Sequence, residues 1–353
     1  MESDQPQQHG LFQSAGRQDV SAWDEPDSNW NRAAAAGSQA DPFCCRTEWQ
    51  LSYHEAMDPH RKLIVREQSG SIAAFAEMNL PESSAGSLSI YSPVESHWFF
   101  GSPVLGPAGV DLLVELFDEL VPSRDDYDSG FLVSGVEPDG PLFKEIAGKL
   151  GSFCNAWKVQ EETLCSASLE GGVDGFLSRR SAKHRRSLRK QNNKASKAGV
   201  YFERHAPATA ADAAAVYARM LAVEESSWKG IGECGMTVGR SRRYYDCMTR
   251  RLAESRGGRI MFARHEEKDI GFVFGGLAGS AAGSCYRGQQ FSYADDWKNY
   301  SIGNLLQLEQ IKWLCEEGVD RYDMGPMMDY KVHWTEINTS IMTLMLKRKP
   351  AAI

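Results

Sequence analysis

The chain has 353 residues, 42% of them hydrophobic and 24% charged, with a formal net charge of −8. This is the balance of an ordinary soluble globular protein, and the length suits one large core or two domains of about 100 to 200 residues. No stretch reaches the roughly 18 consecutive apolar residues of a membrane helix, and the opening MESDQPQQHG has neither region of a secretory signal, so a cytoplasmic location is expected.

Chemistry that depends on metals or disulfides finds little support. The eight cysteines form no CxxC pair and no dense framework, which predicts free thiols in a reducing compartment. His54-Glu55 is followed by His60, too far along to share the helical face that an HExxH zinc site requires. No metal is expected.

Residues 1–40 are rich in Gln, Ser, Ala, Asp and Gly without a sustained apolar period, which predicts a disordered tail. From residue 41 the character changes. KLIVREQSG and SIAAFAEMN predict two strands meeting at a Ser-Gly turn, and HWFFGSPVLG supplies a bulky apolar stretch that suits either core or a cavity wall. DLLVELFDELV predicts an amphipathic helix, GFLVSGVEP a strand, and PLFKEIAGKLG a helix opened by Pro141 and stopped by Gly151.

Ser178–Lys197, SRRSAKHRRSLRKQNNKASK, carries nine Lys and Arg residues and no Asp or Glu. As a helix it places like charges four residues apart, each pair costing about 0.2–0.5 kcal/mol, so packing, acidic neighbours or a bound polyanion must support it. Then DAAAVYARMLAVEESSW and SRRYYDCMTRRLAESRG have helical spacing, and GRIMFARH, IGFVFGGL and AGSCYRGQQFS read as a three-strand meander. The loop ADDWKNYS leads to a helix, IGNLLQLEQIKWLCEEG, which buries Leu305, Leu308, Ile311 and Leu314 or Cys315. VDRYDMG and IMTLMLKR predict the last two strands.

This order, together with the basic segment, the stretch NYSIGNLLQLEQIKWLCEEGVDRYDMG and the later DYKVHW, resembles the GNAT N-acyltransferases, in particular the branch related to FemAB peptidyltransferases. The resemblance covers residues 170–347 well and the first half through its element order. It implies an α/β (α+β) fold with a mixed sheet flanked by helices, built as two tandem GNAT-like halves. The corresponding division is a tail over 1–40, an N-terminal GNAT-like half over 41–170 and a C-terminal acyltransferase domain over 171–353.

The same resemblance implies transfer of an acyl group, acetyl being the simplest, from acyl-CoA to a small-molecule or peptide amine by direct attack. Ser301, Ile302, Gly303 and Asn304 open the long helix, where unpaired N–H groups and the helix dipole suit a pyrophosphate; a plain N-cap with a turn glycine accounts for the same letters. Arg185, Arg186 and Arg189 are the basic-segment candidates for phosphate. Asp323, at a strand end, is the candidate base; Lys331 faces the carbonyl oxygen or the leaving thiolate, and Tyr330 is an alternative proton source. Glu224, Glu225, Trp228 and Trp334 are expected at the acceptor. The other readings are a FemAB-like transferase that uses aminoacyl-tRNA, with the basic segment on RNA, and a GNAT-like module that binds a polyanion without turnover.

Overall fold

The computed structural model describes residues 19–79, 89–121 and 129–349. The helices α1 (Asn29–Ala36) and α2 (Thr47–Met57) precede the strands β1 (Leu63–Gln68), β2 (Ser71–Asn79), β3 (Ser89–Pro93) and β4 (Val104–Leu105). Then come α3 (Gly109–Leu120), β5 (Gly130–Val136), α4 (Pro141–Leu150) and β6 (Cys154–Ser168). The second half runs α5 (Gly172–Ser178), α6 (Ala182–Lys197), β7 (Val200–His205), α7 (Ala210–Glu225), α8 (Trp228–Ile231) and α9 (Gly239–Glu254). It continues with β8 (Gly258–His265), β9 (Lys268–Ser280), β10 (Gly283–Tyr293), α10 (Ile302–Glu316), β11 (Arg321–Pro326) and β12 (Ile337–Arg348).

The strands form one mixed sheet in the order β1-β2-β3-β5-β12-β6-β11-β10-β9-β8-β7, with β4 added against β2. The expected fold class, a mixed sheet flanked by helices, is what is seen. Two neighbouring pairs are parallel, β3 with β5 and β10 with β11. In each half a helix, α3 or α10, lies in the connection between the parallel partners, as a parallel crossover requires. The last strand does not stay with its own half: β12 lies between β5 and β6 and pairs with β6 from Ile337↔Ser166 to Arg348↔Cys154.

The tail expectation fails over residues 29–36. Ser28 caps α1 by accepting from Asn31 N, and Trp30, Ala33 and Ala34 are buried on one helical face. The Trp30 indole donates to Cys45 O at 2.9 Å, and the Asn31 amide donates to Thr47 Oγ1 at 2.9 Å. A single tryptophan with two alanines is enough apolar surface to dock a two-turn helix, although too little to show as a period in sequence. Of the rest of that expectation, residues 1–18 lie outside the described residues.

In the second half, α10 buries Leu305, Leu308, Ile311 and Leu314, with Cys315 only partly covered. The basic segment is helical over α6, capped by Ser181, and is anchored by Leu188 and Ala195. No helix among the described residues is long and apolar enough to cross a membrane.

Candidate active site

The site starts where two strands part. β10 and β11 pair only over Cys285↔Arg321, Tyr286↔Tyr322 and Arg287↔Asp323, although both strands continue. Immediately after these residues β10 has a bulge against β9, between Gly288 and Gln290, and β11 has one against β6, between Asp323 and Gly325. A bulge bends its strand and increases local twist, so two bulges at the same level drive the parallel strands apart. Gly325 serves this turn with φ +75°, and a Cβ there would stand 2.6 Å from the Arg287 guanidinium.

The opening holds a cavity of about 470 Å³, lined on one side by Gly288–Tyr293 of β10 and on the other by Tyr322, Met324, Pro326, Met328, Tyr330 and Lys331. The first half contributes Trp49, Trp98 and Phe100. These rings are set by Glu95, a buried carboxylate that accepts from the backbone N–H groups of His97 and Trp98, both at 2.6 Å, and of Phe99 at 3.1 Å. Three amides gathered on one carboxylate fold residues 97–100 into a tight turn, in which Phe99 takes φ +60° and Trp98 and Phe100 face the cavity. HWFFGSPVLG therefore does both things left open above, since Val104 and Leu105 are core.

Lys331 is buried, and its Nζ donates to Met324 O at 2.6 Å and Pro326 O at 2.7 Å. These carbonyls belong to the part of β11 that has lost β10. Burial, assisted by the nearby Arg287 charge, lowers its pKa to about 8. Two of its hydrogens are committed, so one remains for the cavity. Tyr330 stands beside it at the mouth, edge-on to Phe291, with its pKa pushed up to about 12 by burial. Trp228 also lines the cavity and is 59% exposed at the lip.

Other expected residues lie elsewhere. Asp323 is buried and ion-paired with Arg321: its Oδ2 accepts from Nη2 at 3.0 Å and its Oδ1 stands 2.6 Å from Nε. Side chains alternate across a strand: Tyr322 and Met324 face the cavity and Asp323 faces the other way, so the base expectation is corrected. Burial raises its pKa against the pull of Arg321. Trp334 is 2% exposed and stacks on Phe176 in the core, with His184 edge-on to it, so it is no acceptor wall. Glu224 is fully buried behind the cavity, accepting from Met236 N at 3.1 Å and from the Ser292 hydroxyl, while Glu225 is exposed at the end of α7.

The helix opening is adjacent to the cavity without lining it. Ser301 has φ +58°, and Asn304 N and Leu305 N both return to Ser301 O. Ile302 is core; Gly303 packs on Phe291 and Tyr293, whose rings would stand 3.2 and 3.3 Å from a Cβ. The cavity reaches α10 one turn later, at Gln307, which accepts from the Tyr322 hydroxyl. Helix α6 passes close by: Lys194 Nζ donates to Asn299 O at 2.8 Å and lies over the Tyr300 ring, and Asn304 Nδ2 reaches Gln191 Oε1 at 3.5 Å. Arg185 is turned inward on the carbonyls of Leu177, Ser178 and Arg180, which corrects its assignment to phosphate. Arg186 and Arg189 stay exposed and line an open depression of about 530 Å³ with Lys190, Lys194 and Lys197.

Among the cavity residues that escaped the sequence reading are four joined by polar contacts to their surroundings. Arg287 bonds Asp41 Oδ2 at 2.7 Å and Gly288 O at 2.7 Å; burial pulls its pKa down, but Asp41 prevails and holds it above the usual value. Lys229 donates to Gln290 Oε1 at 2.9 Å and Phe291 O at 2.8 Å, and burial lowers its pKa. The Gln290 amide in turn donates to Tyr245 Oη at 2.6 Å. The Trp-Lys-Gly triplet at 228–230 was the available signal for Lys229; Arg287, Gln290 and Tyr245 had none.

The family model described as an acetyltransferase (GNAT) domain matches residues 182–332. Among solved structures, FemX superposes with a TM-score of 0.60 at 12% identity, covering 89% of this chain and 95% of that one. L-PGS from Bacillus licheniformis gives 0.52 at 12% identity, covering 90% and 94%. A conserved protein of unknown function from Bacteroides thetaiotaomicron gives 0.56 at 10% identity, covering 92% and 95%. At such identities the likeness is one of fold. No curated protein matches the chain. Within the second half, residues 182–332 thus match the acetyltransferase (GNAT) domain. The chain as a whole shares its fold with FemX over nearly its full length.

Proposed function

We propose that the protein is an N-acyltransferase whose activated donor lies in the opening between β10 and β11 and whose acceptor amine enters past Trp228 and Tyr330. The parting of the two strands at Arg287 and Asp323, directly beside the cavity that contains Lys331, carries this reading. An extended donor arm in such a slot meets strand backbone left without a partner, the condition under which a chain adds to a sheet edge.

In the reaction the amine nitrogen attacks the acyl carbonyl, a tetrahedral oxyanion forms, and the bond to the carrier breaks. The uncommitted N–H of Lys331 is placed to meet that oxyanion. The Tyr330 hydroxyl, kept protonated by its raised pKa, gives its proton to the departing group and takes in exchange the one that the attacking nitrogen sheds as the amide forms. The proton of the attacking ammonium has no carboxylate or imidazole to receive it, because the cavity lining contains no Asp, Glu or His among the described residues. The amine therefore loses that proton before it enters.

The donor we favour is acyl-CoA, with its phosphates near Ser301, Asn304 and the exposed side of α6, and its arm passing Tyr293 and Gln307 into the cavity. A second donor, aminoacyl-tRNA, is supported by the exposed cations Arg186, Arg189, Lys190, Lys194 and Lys197, which form a surface wider than one diphosphate needs. Thermal shift with acetyl-CoA and CoA separates them: at about 100 times the dissociation constant a bound ligand stabilises by about 2.7 kcal/mol. No shift with CoA, together with activity destroyed by ribonuclease, removes the CoA assignment. No acyl transfer from either donor to any amine overturns the function.

A further inference from the structure

We infer that the acceptor is an amine that also carries a carboxylate on an apolar body, and that Arg287 and Lys229 hold this carboxylate. The proposal deepens the acyl-transfer reading and rests on it only in making the ligand the acceptor.

The argument is the distribution of charge around the cavity. Its lining presents three cationic side chains, Lys229, Arg287 and Lys331, and no acidic one among the described residues. Asp41 and Glu224 compensate two of them from behind: Asp41 bonds Arg287 Nε, Glu224 stands 3.9 Å from Lys229 Nζ, and neither lines the cavity. The wall facing a ligand is consequently positive, in a volume otherwise bounded by Trp49, Trp98, Phe100, Tyr245 and Phe291. Buried cations without a facing anion are costly, and an arriving carboxylate relieves that cost while the rings cover its apolar part.

Each group has donors to spare. Arg287 uses Nε on Asp41 and one Nη1 hydrogen on Gly288 O, which leaves N–H groups on both terminal nitrogens for a forked contact. Lys229 gives two of its three hydrogens to Gln290 Oε1 and Phe291 O. Phosphate of the donor is the competing anion, and its place is different. Arg287 lies where strand pairing stops and Lys229 reaches into the cavity beside Gln290 and Phe291, whereas the exposed α6 cations and the α10 start lie outside the lining.

The test is equilibrium binding by calorimetry on the full chain, with hydrocinnamate, its neutral amide and phenethylamine as probes. The acid should bind at least about tenfold more tightly than the amide. Lys229→Met should erase most of that preference, and it leaves Glu224 its contacts with Ser292 and Met236, so folding is supported. Arg287→Lys keeps a charge for Asp41 but loses the fork, and should reduce the preference without abolishing it. Equal binding of acid and amide, a preference that survives both variants, or displacement of the acid by inorganic pyrophosphate overturns the proposal. Because no turnover is read, selective acid binding by a protein that transfers no acyl group overturns the proposed function and leaves the carboxylate site intact.

Discussion

Lys331 does two jobs with three hydrogens: two bond carbonyls that the parted strand would otherwise leave bare, and the third faces the ligand space. Lys331→Met should therefore lower kcat by about 10²–10³-fold, the effect of losing an oxyanion donor. It should also cost about 1–3 kcal/mol of stability, because Met324 O and Pro326 O lose their partner; single-turnover kinetics with a denaturation curve checks both. The sign of the pH dependence follows from its pKa of about 8. The donor is charged below that value and neutral above it, so the rate per neutral acceptor amine should fall as pH rises through about 8. The low-pH limb should follow the acceptor's own ammonium pKa, since no cavity group takes its proton. A rising limb near 8 that does not move with the acceptor's ammonium pKa and that Lys331→Met removes would show Lys331 acting as a base. Asp323→Asn should behave in the opposite sense to Lys331→Met. It removes the anion from a buried pair with Arg321, a loss typically of about 3–5 kcal/mol, and since Asp323 faces away from the cavity, kcat of the folded fraction should change little.

Among the elements, α6 and α10 meet at Lys194, Gln191 and Asn304, so one acts on the other's opening. Arg186→Glu with Arg189→Glu leaves the buried anchors Leu188 and Ala195 untouched and should change stability by no more than about 0.5 kcal/mol. If RNA is the donor, the pair should also flatten the salt dependence of KM, since each lost phosphate contact removes close to one unit of slope; a KM equal to that of the parent at low salt would make the helix a solvated face. Gly303→Ala tests the helix opening: its Cβ meets Phe291 and Tyr293, both cavity residues, and overpacking costs about 1–3 kcal/mol. The letters of this region were legible as a helix start, but the physical demand on the glycine is ring packing, which only the fold reveals. The same holds for Arg185, whose partners are carbonyls ending α5, and for Asp323, where strand parity decides the face. The long helix, the meander and the basic helix were readable because local period and charge determine them. Strand β6 was not, because Lys158–Glu162 is largely polar and exposed and its partner β12 is far away in sequence.

At the level of the whole chain, the cavity needs both halves. Trp49, Trp98 and Phe100 come from the first, and Lys229, Arg287 and Lys331 from the second. Asp41, just ahead of α2, holds Arg287, so the segment leading into the first half fixes a residue where β10 and β11 separate. The sheet is continuous through β5, β12, β6 and β11, and β12, inside it, is the last strand of the described residues. A division at residues 170 and 171 passes between β6 and α5, yet it strips β12 from both of its partners and leaves β6 without β11. Chains that share a core in this way unfold together. Urea denaturation followed by tryptophan fluorescence and by far-UV circular dichroism should give coincident single transitions. Residues 1–170 and 171–353 made separately should each expose the edge left by the missing strands and fail to give a cooperative transition, while co-expression should restore one. Two separated transitions in the intact chain, or a cooperative melt of residues 171–353 alone, would show instead that the second half is an autonomous domain and that β12 only docks on the first.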